Sequence, residues 1–530
     1  MNSLLHDLIT NIADRNPSAT ALRYQGQALA YEDLAALIQR CATGFVHHGL
    51  GRQERVAVYL PKRFETVAAF FAASQAGAVF VPVNPLLKAN QVLHILQDSG
   101  ARILVTSRSR TTQLAAVLPQ CHDLHTVVLV DGEESDEAHV GHVHVISWSA
   151  LIDASDSVLS RRLIDHDIAA ILYTSGSTGR PKGVVLSHRN MVAGASSVVQ
   201  YLGNTNTDRL LGVLPFSFDY GFSQLSTAFT CGACVVLMDY LLPRDVIRQL
   251  ADEKITGFAA VPPLWAQLAQ QQWPEDAGLA LRYITNSGGA MPVATLKALR
   301  KILPKTQIYL MYGLTEAFRS TYLPPEELDR RPDSMGRAIP NVEIMVVRED
   351  GEPCAPGEPG ELVHRGALVA MGYWGDPEKT AERFRPAPGR DNRLSLPEVA
   401  VWSGDTVRMD EEGYLYFIGR RDDMIKTSGY RVSPTEIEEV LYATGLVEQA
   451  AVFGVPHSTL GQAIVAVIIP REDDGNLPDR LLCECRKQLP SFMVPAHICL
   501  RRALPLNVNG KIDRQSLARE LPGLFLEESR

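Results

Sequence analysis

The stretch Ile168-Ala169-Ala170-Ile171-Leu172-Tyr173-Thr174-Ser175-Gly176-Ser177-Thr178-Gly179-Arg180-Pro181-Lys182-Gly183-Val184-Val185-Leu186 decides the reading of this chain. Two apolar runs of strand type flank a polar loop in which small hydroxyl residues and glycines alternate. Glycines let the backbone approach a ligand and turn its N–H groups inward. The Ser and Thr hydroxyls add donors, and Lys182 adds a point charge. That combination suits phosphate oxygens. The loop departs from the P-loop of kinases and GTPases, which places Gly directly before Lys and a helix directly after. Here Pro181 precedes Lys182 and Gly183 follows it. A solvated Gly/Ser linker would need neither the flanking apolar strands nor a single placed lysine.

The chain has 530 residues, which implies two or more domains. A hydrophobic share of 46% and a charged share of 21% are those of a globular protein. Lys and Arg number 51 against 60 Asp and Glu, a net −9, with no basic block. This argues against nucleic acid as the main partner but leaves room for small anions at a local positive site. The longest apolar run, Val67 to Val83, is broken by Ser74-Gln75, Gly77 and Pro82, so it reads as a buried helix and strand and no membrane span is expected. Met1 to Asp7 lacks a secretory pattern. Eight cysteines in so long a chain do not outline a disulfide framework, and Cys231 and Cys234, though spaced CxxC, lack a second pair to complete a metal site. They read as core thiols, and the cytoplasm is the expected compartment.

Strands and helices alternate at short spacing on both sides of the loop. Val56 to Leu60, Val79 to Val83 and Ile103 to Thr106 read as strands, separated by helices through Phe70 and from Asn90 to Asp98. After the loop, Val184 to His188 reads as a strand ending in a turn. Then Leu210 to Leu214, Cys234 to Leu237 and Gly257 to Val261 read as strands, with helices from Phe222 to Thr230 and Val246 to Glu253. Two α/β layers are expected. From Gly336 to Gly419, Pro and Gly are dense and short alternating strands predict a small β-barrel or sheet. Gly419 to Asp423 is a charged break. Beyond it, Pro434 to Ala443 is helical, Ala450 to Val455 and Ala463 to Ile469 are strands, and Pro478 to Leu489 is helical: a small unit able to fold by itself.

The run Tyr173 to Gly183 resembles the signature of the adenylate-forming superfamily, which holds acyl-CoA synthetases, peptide-synthetase adenylation domains and luciferases. The resemblance spans nearly the whole chain. It implies an α/β fold: a large N-terminal domain, residues 1–420, of two layered α/β subdomains plus a small β-barrel, and a small mobile α+β C-terminal domain, residues 421–530. It also implies ATP, Mg2+ and CoA, or a phosphopantetheine carrier protein, as reactants, with a small carboxylic acid as substrate and, in the carrier-protein case, an acyl carrier protein as partner.

Motif by motif, Thr174, Ser175, Gly176, Ser177, Thr178, Gly179 and Lys182 are the expected phosphate contacts. Ser287, Gly288, Gly289 and Ala290, in the run Asn286 to Pro292, follow a strand; glycines there let a flat ring lie on backbone, although alone they are an ordinary turn. Tyr312-Gly313-Leu314-Thr315-Glu316 offers a ring for a base, a hydroxyl for phosphate and a carboxylate for Mg2+. Asp405, read as following a tight turn, suits the ribose hydroxyls, and Arg420 matches a position that also reaches them. Asp422 falls on the family hinge. Lys426, Gly429 and Arg431 lie on the face that the family turns inward for thioester formation. Lys511, in Pro505 to Asp513, matches the lysine that serves adenylation. The carboxylate attacks the α-phosphate, charge develops on phosphate and pyrophosphate, and a lysine arriving in one domain orientation stabilises it.

On the substrate side, Phe218 stands where fatty and aryl acid ligases commonly carry His. Asp219, which follows it, resembles the Asp in the Phe-Asp of peptide-synthetase adenylation domains, where Asp meets the substrate amine, and Tyr220 and Leu314 are expected on the substrate side with Ser287. Asp219 could equally cap the helix expected from Phe222 or pair with an Arg. Asn286–Pro292, Met311–Ser320 and Tyr322–Asp333 also resemble an exosortase-associated bacterial subgroup of acyl-CoA ligases. The implied function is AMP-forming acid–thiol ligation. The alternative is a stand-alone enzyme loading an amino acid onto a carrier protein, and a nucleotide-binding protein without ligase activity is a third reading. No carrier domain follows Lys511 in this sequence, so the acceptor is expected to be a separate molecule.

Overall fold

A computed structural model describes the chain except residues 1–2, 134–137, 154–160, 175–180, 390–392, 394, 397, 421–423, 428–429, 458–459, 473–474, 490, 508–509 and 522–530. Four sheets organise it. The first has eight strands, with Val79–Pro82, Arg55–Val58, Ala101–Thr106, Thr126–Leu129 and Val143–Ser147 parallel at its centre. At one edge, Ile168–Thr174 and Lys182–Ser187 form an antiparallel hairpin. The second sheet has nine strands. Its parallel centre runs from Gln307–Tyr312 through Tyr283–Asn286, Gly257–Ala260, Arg209–Gly212 and Cys234–Leu237 to Thr20–Tyr24.

The period-two alternation of strands divides the core. Val56, Val58 and Phe80 join the large apolar cluster shared with the nine-stranded sheet. Their neighbours Ala57, Val79 and Val81 face a second cluster on the outer side. Helices fill the middle layer: Phe222, on the helix Asp219–Cys231, lies stacked against Phe80 with centroids 5.1 Å apart and against Phe71 at 6.1 Å. The two expected α/β layers therefore share one core, as buried parallel strands require.

The Pro- and Gly-rich region forms a third, antiparallel sheet of five strands: Val342–Val347, Gly360–Gly366, Val399–Met409, Phe384–Pro386 and Leu415–Arg420. The fourth sheet, also of five strands, contains Ile425–Thr427, Tyr430–Val432, Val447–His457, Gly461–Pro470 and His497–Leu500. The helices Pro434–Ala443 and Leu477–Gln488 cover one face with their own apolar cluster, and Leu517 of Arg514–Glu520 packs on the other. This sheet with its helices forms a small α+β unit with a core of its own. No helix among the described residues is long and apolar enough to cross a membrane.

Three local readings change. His188 opens a helix, His188–Leu202, rather than closing a turn. The Ser187 hydroxyl accepts from the Asn190 N–H and the Asn190 side chain accepts from the Ser187 N–H, a reciprocal cap at the strand end. The next helix begins at Asp219, not Phe222, so Asp219 is its first residue and not its cap. Asp405 lies inside the strand Val399–Met409 and not after a turn: the pairing with Gly360–Gly366 shifts register there and Gly404 has φ +70°, a local bulge.

Candidate active site

Thr174 and Lys182 face each other across the hairpin, so the polar loop leaves and re-enters the sheet at one point. Ser175, Gly176, Ser177, Thr178, Gly179 and Arg180 lie outside the described residues. Thr174 Oγ1 is buried and has no hydrogen-bond partner among the described residues. The Lys182 ammonium lies 3.2 Å from Glu316 Oε1 and donates to the Tyr373 hydroxyl at 2.6 Å; that hydroxyl donates in turn to Glu316 Oε1 at 2.5 Å. Burial works against the charge on Glu316, but Lys182 and the Tyr373 hydroxyl outweigh it and hold its pKa below the usual carboxylate value. Burial lowers that of Lys182, with Glu316 opposing. Tyr373 reaches the pair from 191 residues beyond Lys182 and 57 beyond Glu316, and sequence reasoning did not find it. An adjacent aromatic pair, Tyr373-Trp374, between Gly372 and Gly375 was the available signal.

Thr315 and Glu316 follow the strand Gln307–Tyr312 in a short 3-10 turn. Gly313 and Leu314 make the half-buried link between them. The Thr315 hydroxyl donates to Asp219 Oδ1 at 3.3 Å, and Arg319 Nη1 lies 3.4 Å from Asp219 Oδ2. Asp219 and Arg319 are 4% and 3% exposed, so this is a buried ion pair. Asp219 therefore has a protein cation beside it without any substrate amine. Burial raises its pKa, opposed by Arg319 and Lys511. Tyr220, also buried, meets the Thr285 hydroxyl at 2.5 Å and lies under the Arg319 guanidinium, 4.6 Å from its ring centre. Arg319 was missed in the sequence, though a lone charge in Ala317-Phe318-Arg319-Ser320 marked it.

In the five-stranded sheet, register sets Asp405 opposite Arg420, and Arg420 Nε lies 3.2 Å from Asp405 Oδ1. The Tyr312 hydroxyl donates to Asp405 Oδ2 and ties the nine-stranded sheet to this pair. Asp405 is 3% exposed; burial raises its pKa while Arg420 and Tyr312 oppose that. A side chain at Gly404 would be strained by the positive φ, and its Cβ would collide with the Arg383 guanidinium.

Lys511 enters from the far end of the chain. It sits in a turn where Asn507 Oδ1 accepts the Lys511 N–H at 3.0 Å and the Gly510 N–H meets the Asn507 carbonyl at 2.9 Å. Its side chain crosses onto the Gly288 segment: a Cβ on Gly288 would lie 2.9 Å from Lys511 Cε, and Gly288 has φ +82°. The ammonium is 5.2 Å from the centre of the Phe218 ring. Burial lowers its pKa, then Arg420 nearby, with Asp219, Asp405 and Glu316 opposing. Ser287 beneath is buried, while Gly289 and Ala290 are exposed. The structure thus gathers Lys182, Glu316, Asp405, Arg420, Gly288, Phe218, Asp219 and Lys511 around one space. Asp422 and Gly429 lie outside the described residues, and of Lys426 and Arg431 only the backbone is described, paired across two short strands.

Such an arrangement can hold a polyanion and one metal ion. Among the described residues no three His, Cys, Asp or Glu side chains converge as a metal cage. Glu316 is a single carboxylate, the donor expected for Mg2+ that takes its other oxygens from phosphates and water.

Fold and site together are those of an enzyme that handles nucleotides between a large domain and a small second unit, and the family match agrees. The chain belongs to the AMP-binding enzyme family: that family's model matches residues 9–374, and the model of its C-terminal domain matches residues 436–511. Two linear gramicidin synthase proteins of Brevibacillus parabrevis are 32% and 29% identical over 520 and 522 residues, 97% of this chain in each case. The chain spans only 6% and 10% of the length of those two proteins. Two full-length relatives are each 30% identical. The L-proline–[L-prolyl-carrier protein] ligase of Pseudomonas fluorescens aligns over 98% of this chain and 100% of its own. The feruloyl-CoA synthase of an Amycolatopsis species aligns over 94% and 95%. Among solved structures, ATP-bound MatB from Rhodopseudomonas palustris superposes with a TM-score of 0.86 at 26% identity, over 99% of this chain and 100% of that one. The o-succinylbenzoate CoA synthetase from Bacillus subtilis, in complex with ATP and magnesium, gives 0.80 at 26% identity, over 96% and 99%.

Proposed function

We propose that this protein activates a carboxylic acid with ATP, forming an acyl-adenylate and pyrophosphate, and then transfers the acyl group to the thiol of CoA, giving a thioester and AMP. The observation that carries the reading is the position of Lys511, which reaches across from the C-terminal unit to lie beside Gly288 and Phe218, in the same space as Lys182, Glu316 and Asp405.

In this reading residues 1–420 bind ATP and acid, and residues 421–530 are a mobile domain turning about Asp422. Thr174 to Gly179 and Lys182 hold the phosphates. Gly288 to Ala290 and Tyr312 border the base, and Asp405 with Arg420 holds the ribose. Thr315, whose hydroxyl donates to Asp219 at the long distance of 3.3 Å, would turn it to phosphate when ATP is bound, and Glu316 would hold Mg2+, which neutralises phosphate charge when bound. Lys511 faces the charge that develops as the carboxylate oxygen bonds to the α-phosphorus and the bond to pyrophosphate breaks; as a fixed cation away from bulk water it needs no reorganisation. Phe218, Asp219, Tyr220, Ser287 and Leu314 border the acid. In the second half-reaction the thiolate attacks the acyl carbon and AMP leaves, with Lys426, Gly429 and Arg431 on the thiol side. The eight free cysteines suit a reducing compartment, the cytoplasm.

The full-length likeness to a carrier-protein ligase supports a second reading, in which the acceptor is a phosphopantetheine carrier protein. Acid-dependent exchange of labelled pyrophosphate into ATP tests the first half-reaction. Supplying CoA or a carrier protein then separates the acceptors. Absence of exchange with aliphatic, aryl, hydroxy, oxo and amino acids alike would reject adenylation.

A further inference from the structure

A small cavity opens between the helices His188–Leu202 and Asp219–Cys231 and the ends of the nine-stranded sheet. Tyr220, Thr227, Tyr283, Thr285, Met311 and Arg319 are among its lining residues. Its free volume is about 10 Å3, close to the space of one water. Three polar atoms at its wall have no hydrogen-bond partner among the described residues: Arg319 Nε, Arg319 Nη2 and Thr227 Oγ1. Both residues are buried, Arg319 at 3% and Thr227 at 2% exposure. Buried donors are rarely left unmade, because each orphan forfeits its hydration.

The arrangement of Arg319 is not that of a purely structural ion pair. Such a pair would use the guanidinium fork in parallel bonds to both carboxylate oxygens. Here one arm, Nη1, meets Asp219 at the long distance of 3.4 Å, and the other edge of the fork is free. The backbone is also bent to aim it. Phe318 adopts φ +55°, ψ −43°, and the Arg319 N–H meets the Ala317 carbonyl at 2.6 Å, a γ-turn of the rare positive-φ kind. Strain of this sort on a buried Phe persists where the surroundings enforce it and clusters at ligand sites.

We infer that this cavity receives the far end of the acid, and that the acid is compact and carries a neutral oxygen acceptor, a hydroxyl or an oxo group, bound by Arg319 and Thr227. This deepens the adenylation reading and rests on it. Size and charge select the class. The cavity has room for about one oxygen-sized group, and Tyr220, Tyr283 and Met311 close it to a long alkyl chain. Asp219 already balances Arg319, so a second carboxylate would bring an unmatched negative charge beside Asp219. An ammonium would face two N–H donors. A neutral oxygen takes both donors without altering the charge, and a hydroxyl can also donate to Thr227 Oγ1.

The test is pyrophosphate exchange with acids of one short carbon skeleton ending in methyl, hydroxyl, oxo, amino or carboxylate. The expected result is a kcat/KM for the hydroxy or oxo acid at least about 100-fold above the methyl-ended acid, because a site built to bond an oxygen rejects the analogue lacking it. In Arg319→Met this ratio should fall below about tenfold. Thr227→Val leaves the ion pair intact and should lower the same ratio while the melting temperature and ATP protection stay in place. Wild-type preference for the methyl, amino or carboxylate acid would overturn the inference and leave adenylation standing. So would ratios unchanged by both variants, which make the cavity a structural water site. No exchange with any acid would instead reject the adenylation reading, and the inference with it.

Discussion

Replacing Lys511 with Ala separates the two half-reactions. Around the candidate site the cations Lys182, Arg319, Arg383, Arg420 and Lys511 face the carboxylates Asp219, Glu316 and Asp405, and the electrostatic links among them run across the whole set. Lys511→Ala removes one of the two excess positive charges, and it is the one contributed by the C-terminal unit. Loss of one preorganised donor to developing charge costs about 10²–10³ in kcat, roughly 3–4 kcal/mol. The lost methylenes add little, because the stem runs beside Gly288, which offers no side chain to pack against. Acid-dependent pyrophosphate exchange should therefore fall by about 100- to 1000-fold. Thioester formation from synthetic acyl-adenylate should change by less than about tenfold, since no new bond to pyrophosphate is broken there. Equal loss in both assays would refute the assignment, because it would make Lys511 a support of the fold or of nucleotide binding alone.

Tyr373→Phe removes the hydroxyl that bonds both Lys182 and Glu316 while keeping the ring against Phe384, so kcat/KM should fall about 10- to 100-fold with little change in melting temperature. The hydroxyl helps lower the Glu316 pKa, so its loss should move the acid limb of the pH–rate profile upward; an unmoved limb would contradict the role. Asp422→Pro fixes φ near about −65° between the strands Leu415–Arg420 and Ile425–Thr427 and should spare one half-reaction and abolish the other; if both run normally, the chain pivots elsewhere. Burial pushes the Glu439 carboxyl up to about 7, with Glu438 and Asp333 adding to the rise and the N–H of Val293, which meets it across the two units, opposing it. A pKa raised on packing means that the packed form binds the proton better, so packing should weaken as pH rises from about 4.5 to about 7 and level off above. Thermal unfolding across that range should lose this slope in Glu439→Gln, and an unchanged slope would place its cause in another group.

The sequence carried what is local and hid what is long-range. The loop after Thr174, the glycines near Gly288 and the turn around Lys511 are each short runs whose residue types have few other uses together, and the structure brings their described members to one place. The helix start at Asp219 was misread because Phe218 precedes it and no side chain caps it, so the usual signal was lacking. Asp405 was read as lying after a turn because a bulge inside a strand and a true turn share the same glycine with positive φ. Tyr373 escaped because its partners Lys182 and Glu316 lie 191 and 57 residues away, and Arg319 because Asp219 lies 100 away, separations no spacing rule reaches.

Asp219 shows how such a partner changes a chemical reading. Alone in the sequence, a carboxylate beside Phe218 on the substrate side invites an ammonium, because a buried charge without a partner is costly. In the structure Arg319 lies beside it, also buried, and Thr315 donates to its other oxygen. A substrate amine would then have to displace Arg319 or share Asp219 with it, placing two cations against one carboxylate in a low-dielectric site. Removing one partner from a buried pair costs about 3–5 kcal/mol, more than a single new contact returns. The demand for charge at this position is met from within the chain. What remains unmet lies one atom further on, at the free edge of the guanidinium, and its chemistry is that of a hydrogen-bond donor and not of an acid.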